Sequence, residues 1–120
     1  MPQIVIVGPC GAGKSTLVRG LTAHGYAARV VAQEHSIVPG LWYHGGRPQA
    51  LVLLDATPGA ITARRGAEFP EWLYRIQQER LSEARSHADL VLETTTLSAS
   101  EVLRQVLDFL RRERRLALSR

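Results

Sequence analysis

The amino-acid sequence predicts a three-layer α/β domain built on a short, four-stranded parallel sheet. Short apolar runs alternate with segments of helical periodicity, which is typical of parallel strands joined by helical crossovers. The first run, QIVIV at residues 3–7, is continuously apolar, as a strand buried on both faces requires. The chain has 120 residues and no internal repeat, low-complexity tract or linker, so we expect one domain over residues 1–120.

The first half of the chain is predicted to hold two strands and one helix. After the strand at residues 3–7, KSTLVRGLTAH places Leu17, Val18 and Leu21 on one helical face, and Gly25 can end that helix. ARVVAQ at 28–33 is the second strand. Residues 36–49 contain two prolines and three glycines, which predicts a loop.

The second half is predicted to contain two more strands and three helices. ALVLLD at 50–55 is the third strand, and a helix is expected from Pro58, a favourable first-turn residue, to about Arg65. A longer helix covers about 70–87, with Leu73, Ile76, Leu81 and Ala84 at helical spacing. DLVLE at 89–93 is the fourth strand. Ser98 and Glu101 then form a capping-box pattern before a helix with Val102, Val106, Phe109 and Leu110 on one face.

Composition and charge argue against several classes of protein. The formal charge of +4 comes entirely from the last ten residues, because residues 1–110 carry ten basic and ten acidic side chains. We interpret residues 111–120 as a solvated basic C-terminal tail rather than a nucleic-acid site. No apolar run reaches the length of a membrane span, and MPQIVIVG reads as a strand rather than a signal peptide. With a single cysteine, the chain is expected to be cytoplasmic.

A phosphate-binding motif connects the first strand to the first helix. Gly8, Gly13, Lys14 and Ser15 match the pattern G-x-x-x-x-G-K-[ST] within GPCGAGKST. Glycines allow the backbone N–H groups to turn inward around an anion, and the start of the helix adds further N–H groups. The residues expected to contact the nucleotide here are Gly8, Pro9, Cys10, Gly11, Ala12, Gly13, Lys14, Ser15 and Thr16.

Lys14 is the only lysine, whereas the other 14 basic side chains are arginine. A compact ammonium fits between β- and γ-phosphates better than a wide guanidinium does, which explains why lysine occupies this position. Ser15 is expected to offer its hydroxyl to Mg²⁺. Cys10 reads as a small loop filler, and a redox switch is the alternative because the helix dipole can lower the pKa of a thiol.

Together with this motif, three other stretches resemble the small-molecule P-loop kinases, the nucleoside and nucleotide kinases and their relatives. They are VVAQEHS, LVLLDATPGAITARRG and QQERLSEARSHADLVLETTTLS, which with the loop make up 54 of the 120 residues and are spread over residues 8–98. The motifs of G-domains and transporter ATPases do not occur in the sequence. The resemblance implies the P-loop NTPase fold, with ATP and Mg²⁺ as ligands.

The resemblance also implies roles for residues outside the loop. Glu34 would take a proton from the acceptor or hold a magnesium-bound water. Arg64 and Arg65, at the start of a short lid-like segment at 64–72, would clamp phosphates during transfer or simply end a helix. Thr94 and Thr95, with Thr96, would lie beside the adenine or act only as turn residues.

For several other residues, the sequence alone is compatible with two roles. Asp55 ends an apolar strand in the Walker B manner and competes with Glu34 for the metal, although we favour Glu34. His35 is a substrate contact or a plain loop histidine. Trp42, Tyr43 and His44 either stack on a planar acceptor or cover the sheet edge.

The expected function is therefore ATP-dependent transfer of the γ-phosphoryl group to a small acceptor, with Lys14, Glu34, Arg64 and Arg65 as catalytic residues. The alternative is a nucleotide-binding or slowly hydrolysing switch that acts on a protein partner. The lack of a recognisable lid and of a fifth strand favours this second interpretation. A third interpretation is a truncated or minimal P-loop protein without catalysis. The sequence does not separate ATP from GTP.

Overall fold

The computed structural model of the chain describes residues 3–118 and has an α/β fold. Its four strands form one parallel sheet: β1 (Ile4–Val7), β2 (Ala28–Val30), β3 (Ala50–Asp55) and β4 (Leu90–Glu93). The four helices are α1 (Lys14–Ala23), α2 (Pro58–Arg65), α3 (Glu71–His87) and α4 (Ala99–Leu118). The predicted alternation of strands and helices is confirmed, and the bounds of β3 agree with the prediction.

The strand order is β2-β1-β3-β4, so β1 and β3 are the two inner strands. Their register pairs Val7 with Leu53, and all strands run in the same direction. The loop that leaves β1 therefore lies beside the carboxyl end of β3. Ligands of parallel sheets generally bind at this end, outside the carboxyl termini of the strands.

Helices cover both faces of the inner strands. On one face, Ile4, Ile6, Val52 and Leu54 pack against α1 and α4. On the other face, the alternate residues of β1 and β3 pack against α3 and the segment after β2; this cluster contains Val5, Val7, Leu51, Leu53, Val31, Trp42, Leu81 and Ala84. Burial of alternate side chains on opposite faces explains why these strands are apolar throughout.

Two details differ from the sequence-based expectations. The second strand ends at Val30, and Gln33–His35 form a short 3₁₀ turn, so Glu34 does not end a strand. Gln33 is buried, and its side chain bonds Val38 O at 2.7 Å and Trp42 N at 3.1 Å, which turns the chain away from the sheet. Ile76, expected on the buried face of α3, is 36% exposed.

The C-terminal tail is partly helical, since α4 continues to Leu118; residues 119 and 120 lie outside the described part. Within residues 3–118, no helix is both long enough and apolar enough to cross a membrane.

Candidate functional site

The loop between β1 and α1 depends on glycine at two positions. Gly8 has φ 154°, and a Cβ atom there would lie 2.1 Å from the carbonyl oxygen of Leu54 on β3. Gly13 has φ 99° and precedes α1 in the left-handed conformation, with open space where a Cβ would lie. The loop is thus pressed against β3 at its start and strained for other residues at its end.

The N-terminus of α1 has no side-chain cap, whereas two other helices are capped. Thr57 Oγ1 accepts from Ala60 N at the start of α2, and Ser98 and Glu101 form the predicted capping box at α4. The hydrogen bonds to Ser98 hold the pKa of Glu101 below its usual range. Among the bonds of residues 3–118, none uses the N–H groups of Gly13, Lys14 and Ser15. These donors are available to an anion.

Lys14 crosses the loop that precedes it. Its Nζ donates to Gly8 O at 2.5 Å and to Pro9 O at 3.2 Å, and it forms an ion pair with Glu34 Oε2. The two charged side chains are 10% and 4% exposed. The ammonium is therefore held between the start of the loop and the Glu34 carboxylate.

Glu34 is buried and has one oxygen without a partner. Its 3₁₀ turn packs against α3, from which Arg80 donates to Glu34 O at 3.2 Å. Oε2 accepts from Lys14, but Oε1 is buried and accepts no hydrogen bond from any of the residues described. A buried carboxylate oxygen without a donor costs free energy, so it marks a place where another group can bind.

Asp55, the competing carboxylate, has both oxygens occupied. Oδ1 accepts from Ala56 N, Tyr74 Oη and Gln78 Nε2 at 2.9–3.2 Å, and Oδ2 accepts from Arg85 at 2.7 Å. Burial, with the nearby Asp55 charge as the next cause, raises the pKa of Tyr74 to about 12. The structure therefore gives Asp55 protein partners that a metal-bound water would have to displace.

Cys10 and His35 lie beside Glu34. Cys10 Sγ is 3.3 Å from His35 Nε2, and this nitrogen is 3.8 Å from Glu34 Oε2. The buried side chain of Gln77 accepts from Cys10 N at 3.1 Å and places its Nε2 3.3 Å from Cys10 Sγ. Cys10 packs against the buried cluster of Ala56, Ile61 and Phe69, as a small filler would, and its sulfur also faces a histidine and an amide.

Arg64 and Arg65 have different surroundings in the last turn of α2. Arg64 donates to Gly11 O at 3.2 Å, to Thr94 Oγ1 at 3.1 Å and to Thr94 O. Arg65 instead lies 5.5 Å from the ring centre of Phe69. Phe69 is buried, so the segment 64–72 packs against the body of the protein at this residue.

The two threonines after β4 bond to protein groups. Thr94 is buried, and its hydroxyl lies 3.1 Å from both Ala12 O and Asp55 O. Thr95 Oγ1 accepts from Thr57 N at 3.0 Å and bonds Glu93. Thr94 therefore joins β3, β4 and the loop between β1 and α1.

A cavity of about 170 Å³ opens beside the loop, between α1 and the start of α4. Polar and apolar groups line it: Ala12, Gly13, Thr16, Leu17, Arg64, Thr94, Leu97, Ala99 and Val102. Ser15 and Thr16 are exposed at the start of α1, next to this opening. The cavity therefore opens beside the end of the loop between β1 and α1.

The aromatic residues after the 3₁₀ turn are divided between the core and the surface. Trp42 is buried in the sheet cluster, and its Nε1 donates to Glu83 at 2.6 Å. Tyr43 and His44 are exposed. Trp42 thus covers the sheet, which was one of its two sequence-based interpretations.

Sequence reasoning missed the polar residues that α3 contributes. Gln77, Gln78, Arg80 and Arg85 contact the loop cysteine, Glu34 or Asp55. In the sequence they occur within an amphipathic helix, where polar residues indicate only a solvated face. The one available signal was the density of glutamine and arginine in QQERLSEAR.

Comparison with known proteins finds no matching family model and no similar curated protein.

Proposed function

We propose that this chain is an ATP-binding P-loop protein that transfers the γ-phosphoryl group of Mg·ATP to a small-molecule acceptor. The observation that carries the proposal is the position of Lys14. It spans a loop whose neighbouring N–H groups are free of protein acceptors, and it contacts a buried carboxylate at the same edge of the sheet. A loop, a lysine and a carboxylate in this arrangement are the parts that phosphoryl transfer requires.

The residues present fit a nucleoside triphosphate. The N–H groups of Gly13, Lys14 and Ser15 would bind phosphate oxygens, while the Lys14 ammonium would move from the carbonyls of Gly8 and Pro9 to the phosphates. The cavity beside Thr16 and Leu17 would take the base. Arg64, already at the loop through Gly11 O, is the better placed of the two arginines to offset developing charge.

Magnesium would supply charge neutralisation between the β- and γ-phosphates. The exposed hydroxyl of Ser15 and the unpartnered oxygen of Glu34 suit this hard cation, whereas Asp55 is already bonded to Arg85. Glu34 would also accept the proton of an acceptor hydroxyl once Lys14 has turned to the phosphates.

Binding and turnover of Mg·ATP test the proposal with two variants. Lys14→Ala is expected to abolish nucleotide binding in calorimetry and the nucleotide-induced rise in Tm. Glu34→Gln is expected to keep binding but lower acceptor-stimulated ADP release by about 10²–10⁴-fold, because it removes the base. Arg104→Ala, at an exposed position of α4, is the matched control and should behave as wild type. A Tm that millimolar Mg·ATP leaves unchanged in the wild type would contradict the proposal.

The second candidate function is a nucleotide-dependent switch. It is supported by Ile37 and Val38, which follow the Glu34 turn and are 84% and 45% exposed, a surface that suits a protein partner. A screen of hydroxyl compounds separates the two functions. Stimulated ADP release supports the kinase, whereas slow turnover that no small molecule changes supports the switch.

A further inference from the structure

We infer that Cys10, Glu34 and His35 form a binding site for a transition-metal ion of the zinc class, which shares the Glu34 carboxylate with the proposed magnesium position beside Ser15. The site lies at the loop but does not depend on nucleotide binding. Its donors are a thiol, a carboxylate and an imidazole, and their ligand atoms all lie within 4.8 Å of one another.

The distances suit a single ion. With ordinary bond lengths, the ligand atoms of a tetrahedral zinc site lie about 3.4–3.6 Å apart. Here Cys10 Sγ lies 3.3 Å from His35 Nε2, and His35 Nε2 lies 3.8 Å from Glu34 Oε2. A bound ion would draw the three atoms, which lie within 4.8 Å of one another, closer together. The side chain of His35 is 58% exposed, so the fourth position can face solvent.

Glu34 provides the independent sign of a missing ligand. The residue is 3% exposed, and its Oε1 accepts no hydrogen bond from residues 3–118, although Oε2 pairs with Lys14. Because Oε2 is the oxygen that lies 3.8 Å from His35 Nε2, an ion at these donors would take the place of Lys14 at Oε2, or would bind Oε1 after the carboxylate rotates.

The side-chain amide of Gln77 donates a hydrogen bond to the sulfur of Cys10. Cys10 N–H can only donate, so the Gln77 atom that it contacts must be the amide oxygen. This fixes the orientation of the amide and aims its NH₂ group at Cys10 Sγ, 3.3 Å away. A hydrogen bond donated to sulfur suits a metal-bound thiolate, as expected for a group that supports a ligand.

The donor set selects the class of metal. A thiolate and an imidazole are soft to borderline ligands that favour Zn²⁺ or Co²⁺ over Mg²⁺. On binding, the Cys10 thiol releases its proton to the solvent, and the thiolate and the carboxylate together balance the two charges of the ion. Lys14 is the remaining cation at Glu34, so metal and ammonium compete for this carboxylate.

Cobalt binding to the full chain tests the site directly. Thiolate-to-Co²⁺ charge-transfer absorption is expected at one ion per chain, and it can be assigned to Cys10 because the sequence has no other cysteine. Zinc should displace the cobalt, as measured by loss of the absorption. A titration without this absorption would overturn the inference, and no variant has to fold for that result.

Four variants then identify the ligands by competition with a zinc-binding dye. Cys10→Ser and His35→Gln should each weaken zinc binding by about tenfold or more. His44→Gln, an exposed histidine outside the cluster, should leave the affinity unchanged. Lys14→Ala should strengthen zinc binding by about tenfold, since it removes the competing charge, while it abolishes nucleotide binding.

These outcomes separate the metal site from the proposed function. Zinc binding that Cys10→Ser leaves unchanged would overturn the metal site, whatever the result with nucleotide. Cobalt–thiolate absorption in a chain that binds no nucleotide would support the metal site while contradicting the proposed kinase.

Discussion

At the scale of single residues, Asp55 illustrates how partners decide the chemistry of a carboxylate. Its two oxygens accept from Tyr74, Gln78, Arg85 and a backbone N–H. These contacts tie the end of β3 to α3. The same residue type at Glu34 keeps an oxygen without a donor, so the two carboxylates are suited to different tasks.

Asp55→Asn is expected to lower the free energy of unfolding by about 1–2 kcal/mol, because it removes the charge that pairs with the partly exposed Arg85. Urea denaturation measures this loss. Glu71→Gln is the matched control: it breaks an ion pair with Arg75 in which both side chains are at least 69% exposed, and it should change stability by less than about 0.5 kcal/mol. Equal effects of the two substitutions would contradict a structural role for Asp55.

Tyr74 makes stability depend on alkaline pH. Its pKa is raised to about 12 in the folded protein, from 10.0 for an unperturbed tyrosine. The folded state therefore keeps a proton that the unfolded state loses, so this contribution is present below pH 10.0 and is lost as the pH rises through about 12. Spectrophotometric titration should show one tyrosine ionising near this value. The late ionisation should be missing in Tyr74→Phe, and if it persists the assignment to Tyr74 is wrong.

At the scale of elements, the turn from β1 into α1 combines close approach with positive φ. Gly8 touches β3 through Leu54 O, while Gly13 gives α1 a start without a side-chain cap. Backbone conformation thus leaves donors available where the helix dipole favours an anion.

Three glycine-to-alanine variants separate close approach from strain. Gly8→Ala should cost about 3 kcal/mol or more, because its Cβ would meet the Leu54 carbonyl at 2.1 Å. Gly13→Ala should cost about 1–2 kcal/mol from the left-handed conformation alone. Gly59→Ala in α2 meets neither problem and should raise stability by about 0.5 kcal/mol. Thermal unfolding ranks the three, and a Gly13 variant as damaging as the Gly8 variant would refute this distinction.

At the scale of the whole molecule, the parallel strand order brings distant segments together at the carboxyl-terminal end of the sheet. The loop after β1, the Glu34 turn, the end of β3 and Thr94 all meet there. The cavity between α1 and α4, where the proposed function places the base, opens beside this end of the sheet. The cavity depends on the packing of α1 and α4 against the same face of the sheet.

Val102→Phe is expected to fill much of the 170 Å³ cavity and to weaken ATP binding by about tenfold or more. Affinity for inorganic tripolyphosphate should not change, because the loop amides and Lys14 remain in place. Calorimetry with both ligands provides the comparison. Val91→Phe, at a position on β4 that is 44% exposed, is the control and should alter neither affinity. A parallel loss of both ligands would show that the cavity does not hold the base.

Local sequence patterns were enough to predict much of the fold. The apolar runs predicted the strands, the Ser98–Glu101 pair predicted the start of α4, and the glycines with Lys14 predicted the turn after β1. These features depend on residues a few positions apart, so spacing is enough to identify them. The end of β2 was predicted three residues too late, because the contacts of Gln33 with Val38 and Trp42 override the strand pattern.

The sequence by itself determined the α/β alternation and the lysine-bearing glycine loop at the first turn. Only the tertiary structure decided the strand order, the pairing of Lys14 with Glu34 rather than Asp55, and the meeting of Cys10 with His35 and Gln77. The physical reason is that hydrophobic periodicity records which face of an element is buried, but not which other element covers it. Contacts between residues 20 to 67 positions apart arise only when those faces pack.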